Sequence, residues 1–137
     1  MNEIKYKAWL KKEKVLVDVL KIDFQNKEIE FAPIGANLNS FSQVDDYYAV
    51  LQTKSFNEIE LLQYIGLNDN KNREIYEGYI LKYIHGMYGY KSTYSERISV
   101  VEYDLDGCFE PFTSSDNFNY EIIGNIYENP ELIGGKK

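Results

Sequence analysis

The chain of 137 residues is predicted to fold as a mostly β protein of short antiparallel strands with little helix. Three observations predict this class. Thirteen Tyr and seven Phe supply rings that suit a pleated, half-buried surface. Ala, the strongest helix former, occurs only at positions 8, 32, 36 and 49. Several segments alternate apolar and polar residues between turn-forming clusters, which is typical of strands.

The first segment, residues 4–10, alternates between two faces and predicts a strand. One face carries apolar side chains, namely Ile4, Tyr6, Ala8 and Leu10. The other face carries Lys5, Lys7 and Trp9. Charged strands suit sheet edges, and edge strands can pair between copies, so this strand is expected at an edge and a homo-oligomer stays an open alternative.

Two more strands complete a predicted β-meander. The second covers 15–24 and is expected to carry Ile22 and Phe24 on one face. A turn at Gln25–Asn26 leads into the third strand, which Pro33 ends because proline cannot donate a hydrogen bond to a ladder.

A soft segment, 34–46, is rich in Gly, Asn, Ser and Asp, and predicts a loop between two halves. Residues 1–55 are therefore assigned to an N-terminal β-meander and loop region. Residues 56–134 are assigned to a small, strongly bent barrel, because their short strands have the spacing of such folds. The two regions are also compatible with packing as one compact unit.

Strands are predicted over 47–53 and 59–65, although 56–64 would also suit one or two helical turns. The second of these strands is expected to break at Gly66. The polar run from Asn68 to Asn72 then predicts a turn.

The run 79–84 is apolar except for Lys82 and predicts a strand buried on both faces, before a loop at 86–89. The strand 98–105 shows a one-residue phase slip of the kind that a bulge produces. Asp106–Gly107 predicts a two-residue hairpin turn.

The hairpin is expected to return through 108–112, and the last strand covers 120–127. After it, Asn129 at an N-cap, Pro130 at the first helical position and Gly134 beyond the end predict one helical turn.

Charge and cysteine content limit the possible functions. The net charge of −7 opposes tight, sequence-independent binding to phosphate backbones. The single cysteine, Cys108, excludes an internal disulfide and fits a reducing compartment. No run of 18 apolar residues and no apolar signal core is present, so a cytoplasmic protein without a membrane span is expected.

The best candidate metal ligands are Glu102, Asp104 and Asp106, followed by Gly107, which resemble the first part of a calcium loop. Position 12 of such a loop requires a bidentate Glu, and Thr113 stands there. On a strand the three acids would simply line one solvated face, which is the preferred interpretation.

Three other features also favour structural roles. The segment Asn68–Asn72 lacks the Gly and Glu of a calcium loop, and turn chemistry accounts for it. His85 is the only histidine, so it cannot build a zinc site with a second one. Cys108 lies among acids, which raise a thiol pKa and disfavour a reactive thiolate. No phosphate-binding glycine loop is found.

An aromatic segment raises one binding hypothesis. The rings of Tyr88, Tyr90 and Tyr94, with Lys91 and Arg97 nearby, would suit single-stranded nucleic acid on a small barrel. The surrounding acids favour the alternative, in which this Tyr-rich loop packs on its own fold.

Four segments, in order along the chain, resemble the YopX-like proteins, which are small proteins of bacterial phages and prophages. The segments are 4–9, 62–67, 74–78 and 121–132. The chain departs from the family pattern at Ile65 (usually Thr), Asn72 (usually Gly) and Tyr79 (usually Asp). Asn is the next best residue after Gly for a left-handed turn position.

The resemblance implies a mostly β fold with an SH3-like C-terminal barrel, a phage or prophage origin and the bacterial cytoplasm. It implies no activity, cofactor or metal, and it transfers no catalytic, cofactor-binding or metal-binding residue. We therefore expect a non-enzymatic module that binds a host or phage protein. The alternative is a nucleic-acid-binding barrel or an acidic mimic of nucleic acid.

Overall fold

The computed structural model is mostly β and antiparallel, which confirms the predicted fold class. It describes residues 3–32, 51–87, 93–103, 109–110 and 120–134. The strands are β1 (Tyr6–Leu10), β2 (Val15–Asp23), β3 (Glu28–Phe31), β4 (Gln52–Ser55), β5 (Ile59–Asn68), β6 (Glu74–Tyr76), β7 (Tyr79–Met87), β8 (Thr93–Val100), β9 (Glu102–Tyr103), β10 (Phe109–Glu110) and β11 (Glu121–Asn125). Within those ranges the helical elements are two 3₁₀ turns, Phe56–Glu58 and Pro130–Ile133.

The chain divides into two compact units. Lys5–Leu62 form the N-terminal unit, and Gln63–Lys137 form the C-terminal unit together with Met1–Ile4. The strand β5 begins in the first unit and ends in the second.

In the N-terminal unit the strand order is β4-β3-β2-β1-β5. The predicted meander is confirmed, since β1 pairs with β2 and β2 pairs with β3, both antiparallel. The expectation that β1 is an edge is wrong, because it lies between β2 and β5. Its alternating pattern instead reflects one face on the core, where Ala8 and Leu10 are fully buried with Ile29 and Phe31.

A bulge in β2 changes which side chains face that core. Val19 pairs with Phe31, and Lys21 pairs with Glu30, the neighbour of Phe31 on β3. Leu20 is therefore an extra residue of β2 between these two pairs. After the bulge, Ile22 packs against the core cluster. The prediction that Phe24 shares its face within the strand is wrong, because β2 ends at Asp23 and Phe24 begins the turn, 75% exposed.

The turn at Gln25–Asn26 is confirmed by local hydrogen bonds. The Asp23 carboxylate accepts from the backbone N–H of Asn26 at 3.0 Å and from its side-chain amide at 2.8 Å. Lys27 then adopts a left-handed φ of 56° before β3. The loop predicted over 34–46 lies outside the described residues.

The next two strands begin later or end later than predicted. β4 starts at Gln52, and residues 47–50 lie outside the described ranges. The helical alternative for 56–64 is limited to Phe56–Glu58, where Ser55 and Glu58 form a capping box. β5 then continues through Gly66 to Asn68, so the predicted break is wrong.

Gly66 instead lies in an irregular part of the β5–β6 ladder. Tyr64 pairs with Tyr76 and Asn68 pairs with Glu74, so β5 has two more residues than β6 in between. Gly66 has φ of +85°, which glycine adopts without a steric penalty.

The strands β11-β7-β8 form a three-stranded sheet in the C-terminal unit. Leu81, Tyr83 and Val101 belong to its core cluster. The prediction of burial on both faces fails at Ile84, which is 56% exposed. The prediction of a loop over 86–89 is wrong at Gly86 and Met87, which pair with Tyr94 and Thr93 in the ladder, and residues 88–89 lie outside the described residues.

The predicted strand 98–105 is interrupted at Val101, which lies between β8 and β9. Its carbonyl accepts a hydrogen bond from the Gly78 N–H, and its N–H donates to the Tyr79 carbonyl, both at 2.9 Å. β9 then pairs with β10 as a hairpin, and the Asp106–Gly107 turn lies outside the described residues. The final helical turn is confirmed at Pro130–Ile133, with Gly134 at a left-handed φ of 75°. The SH3-like barrel stays a prediction.

Candidate functional site

A polar cluster with many hydrogen bonds lies at the turn between β5 and β6, in the Asn-rich run. Asp69 and Arg73 close this turn through a backbone hydrogen bond of 2.8 Å from the Asp69 N–H to the Arg73 carbonyl. Asn72 has a left-handed φ of 63°, which Asn tolerates better than most residues. Turn chemistry, as predicted, accounts for this run.

The Asp69 side chain has no exposed surface, yet it carries a full set of partners. Oδ1 accepts from the backbone N–H groups of Lys71 at 3.0 Å and Arg73 at 2.8 Å. Oδ2 accepts from the Arg73 guanidinium at 3.0 and 2.8 Å and from the Ile122 N–H at 3.1 Å. Arg73 also donates to the Ile122 carbonyl at 2.9 Å. The cluster therefore fastens the turn to β11.

The electrostatics of Asp69 match a structural role. Burial of the carboxylate raises its pKa, but the hydrogen bonds from Arg73, Ile122 and Lys71 outweigh burial, so the net pKa is lowered. With both oxygens occupied by protein donors, the carboxylate is ionised at neutral pH and has little capacity left for a metal ion or a substrate.

A second charged cluster lies in the N-terminal unit. The Lys54 ammonium lies 2.7 Å from Glu13 and 3.7 Å from Glu58. The hydrogen bond between Lys54 and Glu13 is the main cause of a raised Lys54 pKa and a lowered Glu13 pKa. The Glu58 pKa is lowered mainly by the backbone N–H of Ser55. These contacts join the β1–β2 turn, β4 and the 3₁₀ turn.

A third cluster surrounds Glu121 on β11. Its carboxylate lies 3.0 Å from Lys71 and 4.0 Å from Lys82, and the contact with Lys71 is the main cause of its lowered pKa. In all three clusters the pKa shifts favour the charged form. A general base or acid for neutral pH needs the opposite, namely a carboxyl pKa raised toward 7 or a lysine pKa lowered toward it.

Of the three candidate metal ligands, Glu102 alone lies within the described residues. Glu102 is exposed on β9, and its backbone lies opposite that of Glu110 in β10. Asp104 and Asp106 lie outside the described residues. Within the described ranges, no three His, Cys, Asp or Glu side chains are grouped closely enough to hold a metal ion.

The other sequence candidates are placed as follows. His85 lies in β7, with its backbone opposite Ser95 in β8, and Tyr94 lies opposite Gly86. Arg97 is an exposed residue of β8, opposite Tyr83. Cys108, Tyr88, Tyr90 and Lys91 lie outside the described residues.

Sequence reasoning missed the exposed apolar side chains. Phe24 is 75% exposed, Ile84 56% and Ile98 45%. One signal was available for Phe24, since it directly precedes the turn-forming residues Gln25 and Asn26. Ile84 and Ile98 lie close together on the β7–β8 ladder, and exposed large apolar residues that lie close together mark interaction surfaces.

A comparison with protein-family models decides the family. The model described as "YopX protein" matches residues 5–134, nearly the whole chain. The chain belongs to the YopX family. The four segments that resemble the family in sequence all lie within or overlap this match.

The fold of this YopX-family chain also occurs in a solved structure. The crystal structure of protein EF1440 from Enterococcus faecalis is similar, with a TM-score of 0.58 and 22% sequence identity. The similarity covers 97% of this chain and 99% of that one. No curated protein matches the chain significantly. Across the described residues, no helix is long and apolar enough to span a membrane.

Proposed function

We propose that this YopX-family chain is a non-enzymatic protein-interaction module, encoded by a phage or prophage and active in the bacterial cytoplasm. The observation that carries the proposal is the exposure of Phe24, 75% of whose surface is open at the β2–β3 turn. A protein gains little stability of its own from an aromatic ring that is mostly in water, whereas aromatic rings dominate the energetics of interfaces.

The ring is also held in place. Phe24 meets Phe56 in an edge-to-face contact, with ring centroids 6.1 Å apart and planes at 74°. Phe56 in turn packs against the core cluster of the N-terminal unit. A ring supported in this way loses little conformational freedom when a partner covers it, which favours binding.

The charged clusters support the non-enzymatic part of the proposal. Asp69 is saturated with protein donors, and the shifts at Glu13, Glu58, Lys54 and Glu121 all favour charged side chains. These groups stabilise turns and neighbouring strands. None of them has the pKa of a proton-transfer group at neutral pH.

Affinity capture from phage-infected host cells tests the proposal. The wild-type chain is expected to retain a specific host or phage protein, and Phe24→Ser is expected to lose it. Lys21→Ser is the matched control, since Lys21 is an exposed residue near the same turn. Equal capture by wild type and Phe24→Ser, or capture of nothing by either, would refute the role of Phe24.

The nucleic-acid alternative has less support. Lys71, Arg73 and Lys82 are the cations near β11, and each already lies within 4.0 Å of a carboxylate. Phosphate binding by these side chains would have to compete with Glu121 and Asp69. A mobility-shift assay at low salt, with single-stranded DNA and RNA, measures directly whether the chain binds nucleic acid.

A further inference from the structure

The outer part of the β7–β8 ladder extends beyond its neighbour. β7 and β8 stay paired as far as Met87 and Thr93. β11, in contrast, pairs with β7 only as far as the pair Glu121–Lys82. Of the described strands, β8 alone therefore pairs with the last five residues of β7.

One face of this ladder carries a compact patch of four side chains. Lys82 lies opposite Ile98, and Ile84 lies opposite Glu96, so all four project from the same face. The ammonium of Lys82 reaches the Glu96 carboxylate at 3.9 Å across one diagonal. Across the other diagonal lie Ile84 and Ile98, 56% and 45% exposed. We call these four residues the isoleucine patch.

The opposite face of the same strands is covered over part of its length, although Arg97, opposite Tyr83, is exposed. Leu81 is fully buried, Tyr83 is 9% exposed, and the Tyr83 hydroxyl bonds with Ser99 at 3.1 Å. The β7–β8 ladder thus has one face on the core of the C-terminal unit, and the isoleucine patch on the other.

We propose that the isoleucine patch is a homodimer interface, and that its partner is the same patch on a second copy of this chain. The charge pattern of the patch is self-complementary. Two facing patches can be related by a two-fold axis that lies between them and runs parallel to the Ile84–Ile98 diagonal. Ile84 then contacts Ile84 of the partner subunit, and Ile98 contacts the partner's Ile98. The same rotation brings Lys82 onto Glu96 of the partner subunit, and Glu96 onto the partner's Lys82.

The charges select this axis over the alternative. A two-fold axis along the Lys82–Glu96 diagonal would also stack isoleucines, Ile84 on the partner's Ile98. It would, however, place each Lys82 on the partner's Lys82 and each Glu96 on the partner's Glu96, which like-charge repulsion disfavours. The exchange of charges across the Ile84–Ile98 axis also lets Lys82 and Glu96 keep opposite-charge neighbours when the patch is buried.

Analytical ultracentrifugation of the full chain at physiological salt provides the first test. Wild type is expected to show a concentration-dependent dimer. Ile84→Ser is expected to raise the dimer Kd by roughly tenfold or more, as for a buried interface anchor. Leu132→Ser is the control at another exposed apolar residue of the same unit, and should leave the Kd unchanged. A wild-type monomer at all concentrations would overturn the proposal.

Charge-reversal variants provide the decisive test. Lys82→Glu places two acids in each patch, with Glu121 of β11 beside them on the same face. Glu96→Lys places two lysines in the patch, so each variant alone is expected to be monomeric. A mixture of the two is expected to form a heterodimer, since every contact across the axis then joins opposite charges. Circular dichroism of each variant confirms folding. Homodimers that persist in both variants, or a mixture that stays monomeric while wild type dimerises, would rule out this interface.

Discussion

The carboxylate of Asp69 accepts a hydrogen bond from the backbone N–H of Ile122, 53 residues further along the chain, at 3.1 Å. Arg73 completes the link, because it binds the same carboxylate oxygen and donates to the Ile122 carbonyl. A single buried side chain thus joins the β5–β6 turn to the last strand. Much of the order of the C-terminal unit is expected to depend on it.

Replacement of Asp69 by Ala is expected to destabilise the chain by roughly 1–3 kcal/mol for each buried N–H group that loses its acceptor. The Arg73 guanidinium adds little to this loss, because the side chain is 47% exposed and stays hydrated. The N–H groups of Arg73 and Ile122 would lose their acceptor in a site closed to water. Urea unfolding followed by circular dichroism measures the change. Asp18→Ala is the control, since Asp18 is 75% exposed beside Lys7 and should have little effect. Equal losses in both variants would contradict the role of Asp69.

Stability is also expected to fall with pH in a way that depends on Asp69. Burial raises the pKa of this carboxyl, but the hydrogen bonds from Arg73, Ile122 and Lys71 together lower it by more. The pKa in the folded chain therefore lies below the pKa in the unfolded chain. The unfolded chain then binds the proton more tightly, and the stabilisation is present above about pH 4 and lost as pH falls through the folded pKa. The difference in melting temperature between wild type and Asp69→Asn should shrink below about pH 4. A constant difference down to pH 2 would show that ionisation of Asp69 does not stabilise the fold.

The sequence predicted the strands well where local patterns decide them. Alternation placed Ala8 and Leu10 in the core, and Asn129, Pro130 and Gly134 marked the final turn. The bulge at Leu20 was also visible, since the apolar positions of β2 change phase before Ile22.

Features that depend on distant residues could not be predicted in this way. The partner that buries Asp69 lies far along the chain, and its Asn-rich surroundings suggested only an exposed turn. The run 79–84 gave no sign that, within the described residues, β11 pairs with β7 only as far as Lys82, or that Ile84 is 56% exposed. Periodicity reports the local conformation of a strand, but the cover on each face is a tertiary property.

Lys54→Gln is expected to raise the pKa of Glu13 more than that of Glu58. The contact with Lys54 is the main cause of the lowered Glu13 pKa, whereas the backbone N–H of Ser55 is the main cause at Glu58 and survives the substitution. Carboxyl carbon NMR titrations of wild type and variant give both values. Equal shifts at the two glutamates would show that Lys54 acts on both to the same degree, against the contact distances of 2.7 and 3.7 Å.

Asn72 tests the left-handed position of the β5–β6 turn. Its φ is 63°, a conformation that costs most L-residues about 1–2 kcal/mol, so Asn72→Ala is expected to destabilise the chain by about that amount. Asn72→Gly should change stability little, because glycine tolerates this φ and only the bond from the exposed Asn68 amide is lost. Asn70→Ala, two residues earlier and outside the set with positive φ, is the control in the same urea unfolding experiment. A neutral Asn72→Ala would contradict the assigned backbone conformation.

The close approach of Asn129 to Gly124 predicts a coupled pair. A Cβ at position 124 would lie 2.5 Å from Asn129 Oδ1 and 2.8 Å from its Cγ, so Gly124→Ala is expected to cost about 1–3 kcal/mol, as for other overpacked sites. The clash cannot be relieved freely, because Asn129 Oδ1 accepts from the Asn125 N–H at 3.3 Å.

Asn129→Gly removes the clashing side chain while keeping a residue that N-caps tolerate. In a double-mutant cycle, Gly124→Ala is therefore expected to cost much less in the Asn129→Gly background than in wild type. Ile126→Val in place of Asn129→Gly is the control, since the three atoms nearest the Cβ position of residue 124 all belong to Asn129. Additive losses for Gly124→Ala and Asn129→Gly would mean that the last strand and the final helical turn do not pack through this pair.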